Sequence, residues 1–334
     1  MNRRRKIRRS DIQKALIAVA CIALLVGVGG FFISRWENTR YATEGGTGAV
    51  QSGSVFSQET ITIDGKTYTK KKNIRSYLIM GCDNGNEPVT HAHGGQADMQ
   101  VLVIVDDANK TWRLMPIDRD TIVFFEAIDD NDQVVGTTNG QLCLVHAYGT
   151  WDTGAKNTVK TVSDILGGQK INGYLSTNMD SIEVVNDAVG GVPVTVTTDF
   201  TEIDNSLVLG EEIVLQGSQA ETFVRSRQSV DNGTNEARMK RQEAYFNGLL
   251  KQVSGLGESQ ILDIYDKIAS NSVTNIGSGD FVELAEMTKE YTRLDNIQIE
   301  GEHVVNNNYM EFHMDEDSVN RVILELFFES QEAQ

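Results

Sequence analysis

Cysteine and proline are scarce in this sequence, which has three of each among 334 residues. So little proline, together with 40% hydrophobic residues, excludes a proline-rich low-complexity chain and indicates a folded globular protein. So little cysteine argues against a disulfide-stabilised scaffold. Cys21 lies in an N-terminal apolar segment. Cys82 and Cys143 lie in apolar runs, so we predict two buried free thiols rather than a disulfide between them.

Positive charge is also scarce once the N-terminus is set aside. Residues 1–35 contain eight bases and one acid, which leaves 22 bases against 46 acids and a net charge of −24 for the remainder. Such an acidic surface repels polyanions, so nucleic acid is excluded as a partner. Residues 223–242 nevertheless concentrate five basic side chains, which predicts a site for a specific phosphate or carboxylate.

The common signatures of enzyme chemistry are absent. The sequence has no GxSxG, P-loop, HExxH or paired CxxC motif, and no nucleophilic triad can be read from it. His91 and His93 could face one side of a strand, but no further Cys or His at ligand spacing completes a zinc site. We therefore do not expect a zinc enzyme.

One long hydrophobic run is present, at residues 15–33, and its 19 residues include no charge. This length suffices for a transmembrane helix. The basic residues within 1–14 predict a cytoplasmic tail, because positive charge marks the inner side of a membrane. A cleaved signal peptide is the alternative, but the run is longer than usual and lacks a small-x-small cleavage site. We predict a single-pass protein of the cell membrane whose C-terminal part is extracellular.

Residues 34–58 are rich in Gly, Ser and Thr, which predicts a flexible extracellular stalk. Residues 59–334 form the predicted extracellular domain, and alternation around Asp64 and Gly65 predicts a hairpin near its start. Short apolar runs predict buried strands, and apolar residues at helical spacing predict helices. Because these alternate, we predict an α/β layered fold with a central mixed β-sheet covered by helices. The predicted strands are 77–80, 99–105, 112–115 and 190–196, and the predicted helices are 157–166, 181–189 and one beginning near 315.

Two aspartates mark the ends of neighbouring predicted strands. Asp83 ends one strand and Asp98 precedes the next, so both carboxylates could meet at one edge of a parallel or mixed sheet, where α/β folds place ligands. A pair of carboxylates suits Mg²⁺, which completes its coordination with water and phosphate oxygens. Ordinary turn aspartates are the alternative.

Arginines supply the complementary charge. Arg119 follows the third strand, and Arg225 and Arg227 would point the same way on extended backbone. If a helix begins after Asn235, one of its faces carries Arg238, Arg241 and Gln242. Because guanidinium groups bind phosphate oxygens bidentately, this pattern predicts a pyrophosphate clamp. A solvated helix face and a surface ion-pair cluster at Arg119 are the alternatives.

Six motifs, in order over residues 75–255, resemble the LytR-CpsA-Psr family, with residues 256–334 as a C-terminal extension. They are LIMGCD at 78–83, GQADMQ at 95–100, PIDRDT at 116–121, HAYG at 146–149, NDAVGGV at 186–192, and FVRSR at 223–227 with RMKRQ at 238–242. Members of that family are membrane-anchored enzymes, mostly of Gram-positive bacteria. They move a glycopolymer from a polyprenyl-pyrophosphate carrier onto the cell wall.

The resemblance implies that Asp83 and Asp98 hold Mg²⁺, or Mn²⁺ in its place, on the pyrophosphate of a polyprenyl-linked teichoic acid or capsule glycan. An acceptor hydroxyl of peptidoglycan would attack the sugar-linked phosphorus, with Asp83 or Asp98 assisting its deprotonation. The catalytic residues would be Asp83, Asp98, Arg119, Arg225 and Arg227. The pyrophosphate-binding residues would be Arg119, Arg225, Arg227, Arg238, Arg241, Gln242 and Gln96.

Gln96 departs from the family pattern, which usually has arginine two residues before the aspartate at 98. Glutamine donates a hydrogen bond but brings no charge, so a neighbouring arginine has to compensate. This departure keeps two alternatives open. One is a non-catalytic envelope regulator that binds lipid-linked pyrophosphate, and the other is a polyprenyl-pyrophosphate hydrolase.

Overall fold

The computed structural model describes residues 55–83, 94–178, 181–226, 230, 241, 244–245, 247–249, 251–253, 256–306 and 309–331. The predicted cytoplasmic tail, transmembrane helix and most of the stalk lie outside these residues. Among the residues described, no helix combines the length and apolar character needed to cross a membrane. The chain divides into two compact units, one within residues 177–292 and the other formed by residues 35–176 and 293–334. We call them the helical unit and the sheet unit.

The sheet unit begins with a 3-10 turn at Val55–Ser57 and a hairpin of β1 (Thr60–Ile63) and β2 (Lys66–Lys70). Asp64 and Gly65 connect these strands with φ angles of 52° and 77°. Two successive positive φ angles suit the twist of a two-residue hairpin, so the predicted turn is confirmed. The last strand of the chain, β15 (Phe328–Ser330), pairs antiparallel with β2.

A central sheet carries the core of this unit. Its strands are β3 (Ile74–Asp83), β4 (Gln96–Asp106), β5 (Thr111–Ile117) and β8 (Gly173–Asn178). They lie side by side in the order β8, β3, β4, β5. The pairings of β4 with β3 and β5 are antiparallel. β8 runs parallel to β3, because Asn172 N donates to Ser76 O at one end and Ser176 lies beside Cys82 at the other. The predicted mixed sheet is confirmed, and continuous apolar runs fill its buried strands.

Helices of the sheet unit are α1 (Leu142–Val145), α2 (Trp151–Ile165) and α7 (Glu316–Phe327). α2 begins earlier than predicted, because Thr150 caps it by accepting a hydrogen bond from Thr153 N. Asp315 caps α7 in the same way through Ser318 N, which confirms the predicted acid-rich helix start. Two hairpins that were not predicted from the sequence complete the unit. They are β6 (Ile122–Ile128) with β7 (Val134–Gln141), and β13 (Gly301–Asn306) with β14 (Tyr309–Met314).

The helical unit contains the predicted helix α3 (Ser181–Ala188) and the predicted strand β9 (Val192–Thr195). β9 pairs antiparallel with β10 (Glu212–Leu215). Buried apolar residues such as Val185, Phe223 and Ile261 line the packed faces of its helices. The remaining elements are α4 (Ser218–Arg225), α5 (Glu258–Ala269), β11 (Ser272–Thr274) and α6 (Ser278–Glu290), followed by β12 (Thr292–Arg293) at the unit boundary; the residues described between 241 and 253 are also helical.

Candidate functional site

The end of β3 and the start of β4 form one edge of the central sheet. Asp83 pairs with Gln96 across the antiparallel ladder, and the side chains of both are exposed. Gly81 pairs with Met99 and Cys82 with Ala97, so Asp98 is the extra residue of a β-bulge. Bulges re-aim side chains beside functional sites. The predicted carboxylates therefore share an edge through antiparallel pairing, rather than at the carboxyl ends of parallel strands.

The guanidinium group of Arg119 joins several side chains at this edge through hydrogen bonds. Its Nη1 donates to Asp98 Oδ1 at 2.6 Å, and its Nη2 donates to Gln96 Oε1 at 3.1 Å and to Cys143 Sγ at 3.3 Å. Burial opposes the charge of Arg119, but the negative charges of neighbours that include Asp98 and Asp120 outweigh it and raise the pKa of the guanidinium. About a quarter of the side chain is exposed, so the group is held in place and still reachable by an anion.

Gln96 thus contacts the guanidinium from the position where the family usually has arginine. Its amide oxygen accepts from Arg119, while an arginine there would offer only donors. Arg119, from the loop after β5, places its own positive charge beside residue 96.

The residues flanking Arg119 are acidic. Asp118 is buried and accepts from His303 Nε2 at 2.8 Å. Asp120 Oδ1 lies 3.5 Å from Arg119 Nε and accepts from Gln141 Nε2 at 2.8 Å. Burial, together with the neighbouring Asp118, raises the pKa of Asp120 to about 6. The partly buried guanidinium therefore contacts two carboxylates, those of Asp98 and Asp120.

A buried hydrogen-bond chain supports the segment that precedes Asp98. His146 Nδ1 lies 2.9 Å from Gly95 O and must donate, because a carbonyl only accepts. His146 Nε2 then accepts from Ser176 Oγ at 2.7 Å, and Ser176 Oγ accepts from Trp151 Nε1 at 2.8 Å. Burial lowers the pKa of His146 to about 4, so the ring is neutral near pH 7.

Packing around His146 leaves no room for a residue larger than glycine at positions 94 and 154. A Cβ on Gly94 would lie 2.4 Å from His146 O, and a Cβ on Gly154 would lie 2.1 Å from the same oxygen. The HAYG motif at 146–149 resembles the family, but the sequence pattern alone assigns His146 no role. Its partners are distant in the sequence, so no local pattern could have indicated this network.

Both predicted free thiols are confirmed. Cys82 and Cys143 are unbonded to each other and buried. Burial raises the pKa of each thiol to about 12. Both are therefore protonated at neutral pH and weak as nucleophiles.

The arginine-rich segment lies in the helical unit, and its geometry differs from the prediction. Arg225 is the last residue of α4, so its backbone is helical and not extended as predicted. Its exposed guanidinium pairs with Glu221 one helical turn earlier. Arg227, Arg238 and Gln242 lie outside the described residues.

Arg241 was predicted on an anion-binding helix face, but the structure buries it. Its Nε donates to Phe223 O at 2.9 Å, its Nη1 to Thr198 Oγ1 at 3.3 Å, and its Nη2 to Ser226 O. The guanidinium also lies 5.4 Å from the centre of the Phe200 ring. These contacts place its charge at the C-terminal end of α4, where the helix dipole is negative.

The carboxylates fit a hard divalent cation. Among the described residues, no group of three or more His, Cys, Asp or Glu side chains is arranged to hold a metal. A cation at Asp83 and Asp98 would therefore draw its other ligands from water or substrate. That ligand set matches Mg²⁺, which commonly uses one or two protein carboxylates together with phosphate oxygens.

A sequence model of the LytR_cpsA_psr family matches residues 42–327. The polyisoprenyl-teichoic acid–peptidoglycan teichoic acid transferase TagV of Bacillus subtilis (strain 168) is 28% identical over 313 residues, which cover 89% of this chain and 74% of TagV. The transferase TagU of Enterococcus faecalis (strain ATCC 700802 / V583) is 26% identical, over 75% of this chain and 78% of TagU.

Solved structures show the same fold. The crystal structure of Bacillus subtilis TagV aligns with a TM-score of 0.54 and 26% identity, over 77% of this chain and 96% of that one. A structure described as TagT bound to LIIa-WTA aligns with a TM-score of 0.54 and 22% identity, over 77% and 90% of the two chains. The chain belongs to the LytR_cpsA_psr family.

Proposed function

We propose that this protein is a membrane-anchored phosphotransferase that moves a glycopolymer from a polyprenyl-pyrophosphate carrier to a hydroxyl group of peptidoglycan. The chain is an enzyme of the glycopolymer-transferase class, as its family membership and the names of its relatives indicate. The observation that carries the finer proposal is the guanidinium of Arg119, held between Asp98 and Gln96 beside Asp83. The predicted helix at residues 15–33 would anchor the enzyme with its catalytic part outside the cell.

In this reaction the hydroxyl oxygen forms a bond to the sugar-linked phosphorus, and the bond from that phosphorus to the bridging oxygen breaks. Polyprenyl phosphate leaves, and the hydroxyl proton is taken up by a base. Such transfers depend mainly on positioning and on neutralising charge. Arg119 would bind the pyrophosphate oxygens with the edge of its guanidinium, already oriented by hydrogen bonds to Asp98, Gln96 and Cys143.

Asp83 and Asp98 would hold Mg²⁺, which when bound neutralises charge on the pyrophosphate. The two carboxylates differ in their surroundings. Asp98 is tied to Arg119 at 2.6 Å, whereas Asp83 is exposed at the strand end beside Gln96. Because an oxygen of Asp98 is occupied by Arg119, we assign the role of base to the exposed Asp83.

We keep Arg225, Arg227, Arg238 and Gln242 as predicted contacts to pyrophosphate oxygens. The exposure of Arg225 supports this assignment, because its pairing with Glu221 on the helix surface is weak and can be exchanged for a phosphate. Arg241 would act instead by fixing the end of α4.

The experiment is a transfer assay with the full chain in membranes, given a polyprenyl-pyrophosphate glycan, peptidoglycan and Mg²⁺. Wild type should release polyprenyl phosphate and attach glycan to peptidoglycan. We expect Arg119→Ala to lower kcat by ~100-fold or more, as loss of a transition-state charge contact does. Arg75→Ala is the matched control, because Arg75 pairs with Asp107 near the opposite end of β3. Equal activity of Arg119→Ala and wild type would falsify the proposal.

Gln96 favours one other candidate, a non-catalytic receptor for lipid-linked pyrophosphate. With arginine replaced by glutamine, the edge has one positive group fewer than the family pattern provides. Saturable binding of the carrier without turnover would identify a receptor. Release of inorganic or polyprenyl phosphate without an acceptor would identify a hydrolase.

A further inference from the structure

The loop that carries Arg119, residues 118–121, is bound along its length by the β13–β14 hairpin. Phe312 N donates to Asp120 O at 2.8 Å, and Thr121 forms a bridge with Phe312. Gln141 Nε2 joins the two elements again, because it donates both to Asp120 Oδ1 and to Met310 O, at 2.8 and 2.7 Å. The hairpin therefore determines where the backbone of this loop lies.

Asp118 and His303 form the buried link of this contact. Their side chains are 5% and 7% exposed, and His303 Nε2 lies 2.8 Å from Asp118 Oδ2. The carboxylate accepts, so His303 Nε2 carries the proton in this bond. The His303 ring also packs against Phe312, with 4.8 Å between ring centres. A carboxylate buried this deeply needs such a donor, because desolvation without a partner is costly.

Asp118 also accepts hydrogen bonds from the two residues that follow Arg119. Its Oδ1 accepts from Asp120 N at 2.9 Å, and its carbonyl accepts from Thr121 Oγ1 at 2.6 Å. On the other side, Arg119 O accepts from Cys143 N at 3.0 Å. With its backbone fixed on both sides, the Arg119 side chain reaches Asp98, Gln96 and Cys143 in one conformation.

We propose that His303 is a positioning residue for Arg119, acting through the buried hydrogen bond to Asp118. Its role in the reaction rests on the function proposed above, but its role in placing Arg119 does not. Displacing a charge-binding group by about 1 Å costs ~100-fold in rate in comparable sites. Loss of the His303 donor should therefore lower kcat by about tenfold to a hundredfold and change KM little, because positioning matters most in the transition state.

The test compares variants of the full chain in detergent. His303→Phe keeps a ring and removes the donor, whereas His303→Gln keeps an N–H at a similar position. His313→Phe is the matched control, because His313 lies on the same hairpin and bonds Glu311 instead. Glycan transfer gives kcat and KM separately. Alkylation of each cysteine, quantified by peptide mass spectrometry, reports Arg119 independently, because Arg119 contacts Cys143.

We expect faster alkylation of Cys143 and lower kcat in His303→Phe, near-wild-type values in His303→Gln, and no change in His313→Phe. Cys82 should stay protected in all of them. Wild-type alkylation and kcat in His303→Phe would overturn the inference, as would equal impairment of His303→Gln. If wild type transfers no glycan, the proposed function fails, and the alkylation pattern alone decides the positioning role. If His303→Phe does not fold, Asp118→Asn replaces it, with the same rise in Cys143 alkylation expected.

Discussion

At the scale of single residues, the position of a charged group depends on neutral and buried neighbours. Arg119 is oriented by Asp98 and also by the amide of Gln96, a residue that looked like a defect in the sequence. His146 carries no charge near pH 7, yet it holds Gly95 and so supports the start of β4. The chemistry of the edge therefore depends on neutral residues as well as on charged ones.

The buried His146 makes a pH prediction at this scale. Its pKa is about 4 in the folded state and 6.5 ordinarily, so the unfolded chain takes up a proton first as pH falls. The free energy of unfolding should therefore fall as pH drops from 6.5 towards 4, by up to ~3 kcal/mol from this residue. Chemical denaturation at several pH values should show a flatter dependence in His146→Gln. His313→Gln, which removes a partly exposed histidine elsewhere in the sheet unit, is the control for the substitution itself.

At the scale of elements, the predicted parts are those with a strong local pattern. The strands β3, β4 and β5 follow from continuous apolar runs, and α3 and α7 follow from helical spacing and an acid-rich start. The β6–β7 and β13–β14 hairpins were not predicted. The mainly exposed β7 lacks such a run, and β13 and β14 mix apolar and polar residues, whereas the apolar run that begins β6 was missed. His303 could not have been linked to Asp118, since 185 residues separate them and only the fold brings them together.

Arg241 shows the limit of charge patterns and gives a prediction for its element. Arg241→Met removes the donors to Phe223 O and Ser226 O, so the free energy of unfolding should fall by about 1–3 kcal/mol for each buried carbonyl left unpaired. Arg225→Met removes only an exposed ion pair on α4, so it should lower the free energy of unfolding by less than about 1 kcal/mol. Urea denaturation measures both. Equal stabilities of the two variants would show that Arg241 is not needed for the end of α4.

At the scale of the whole molecule, the sequence placed the site residues on neighbouring segments but could not show their bonds. Asp83, Asp98 and Arg119 were predicted from strand ends, where turn residues follow apolar runs. Which oxygen meets which guanidinium nitrogen depends on a bulge at Asp98 and on the burial of Asp118, and neither has a sequence signature. Arg241 was misplaced because its pattern suits a solvated face as well as a buried one.

The charge distribution of the whole chain gives a topology prediction. Basic residues within 1–14 precede the apolar run, and the remainder after residue 35 is acidic. Protease added to intact cells should therefore digest the chain beyond residue 34 and leave the N-terminal tail protected. An epitope tag at each end, followed by immunoblotting, measures this. Protection of the C-terminal tag with digestion of the N-terminal one would reverse the predicted orientation.

Because of the β-bulge, the side chain of Asp98 belongs to the site while its residue has no partner in the strand pairing of the sheet. Pairing resumes between Gly81 and Met99 on one side and between Cys82 and Ala97 on the other, so no ladder partner depends on residue 98. The side chain there is about a quarter exposed, and its carboxylate adds little to the apolar core. A library randomised at this position and selected only for folding should accept many residues, nearly all of them inactive. The strand can thus lose its chemistry without losing its fold, and screens for stability would not detect that loss.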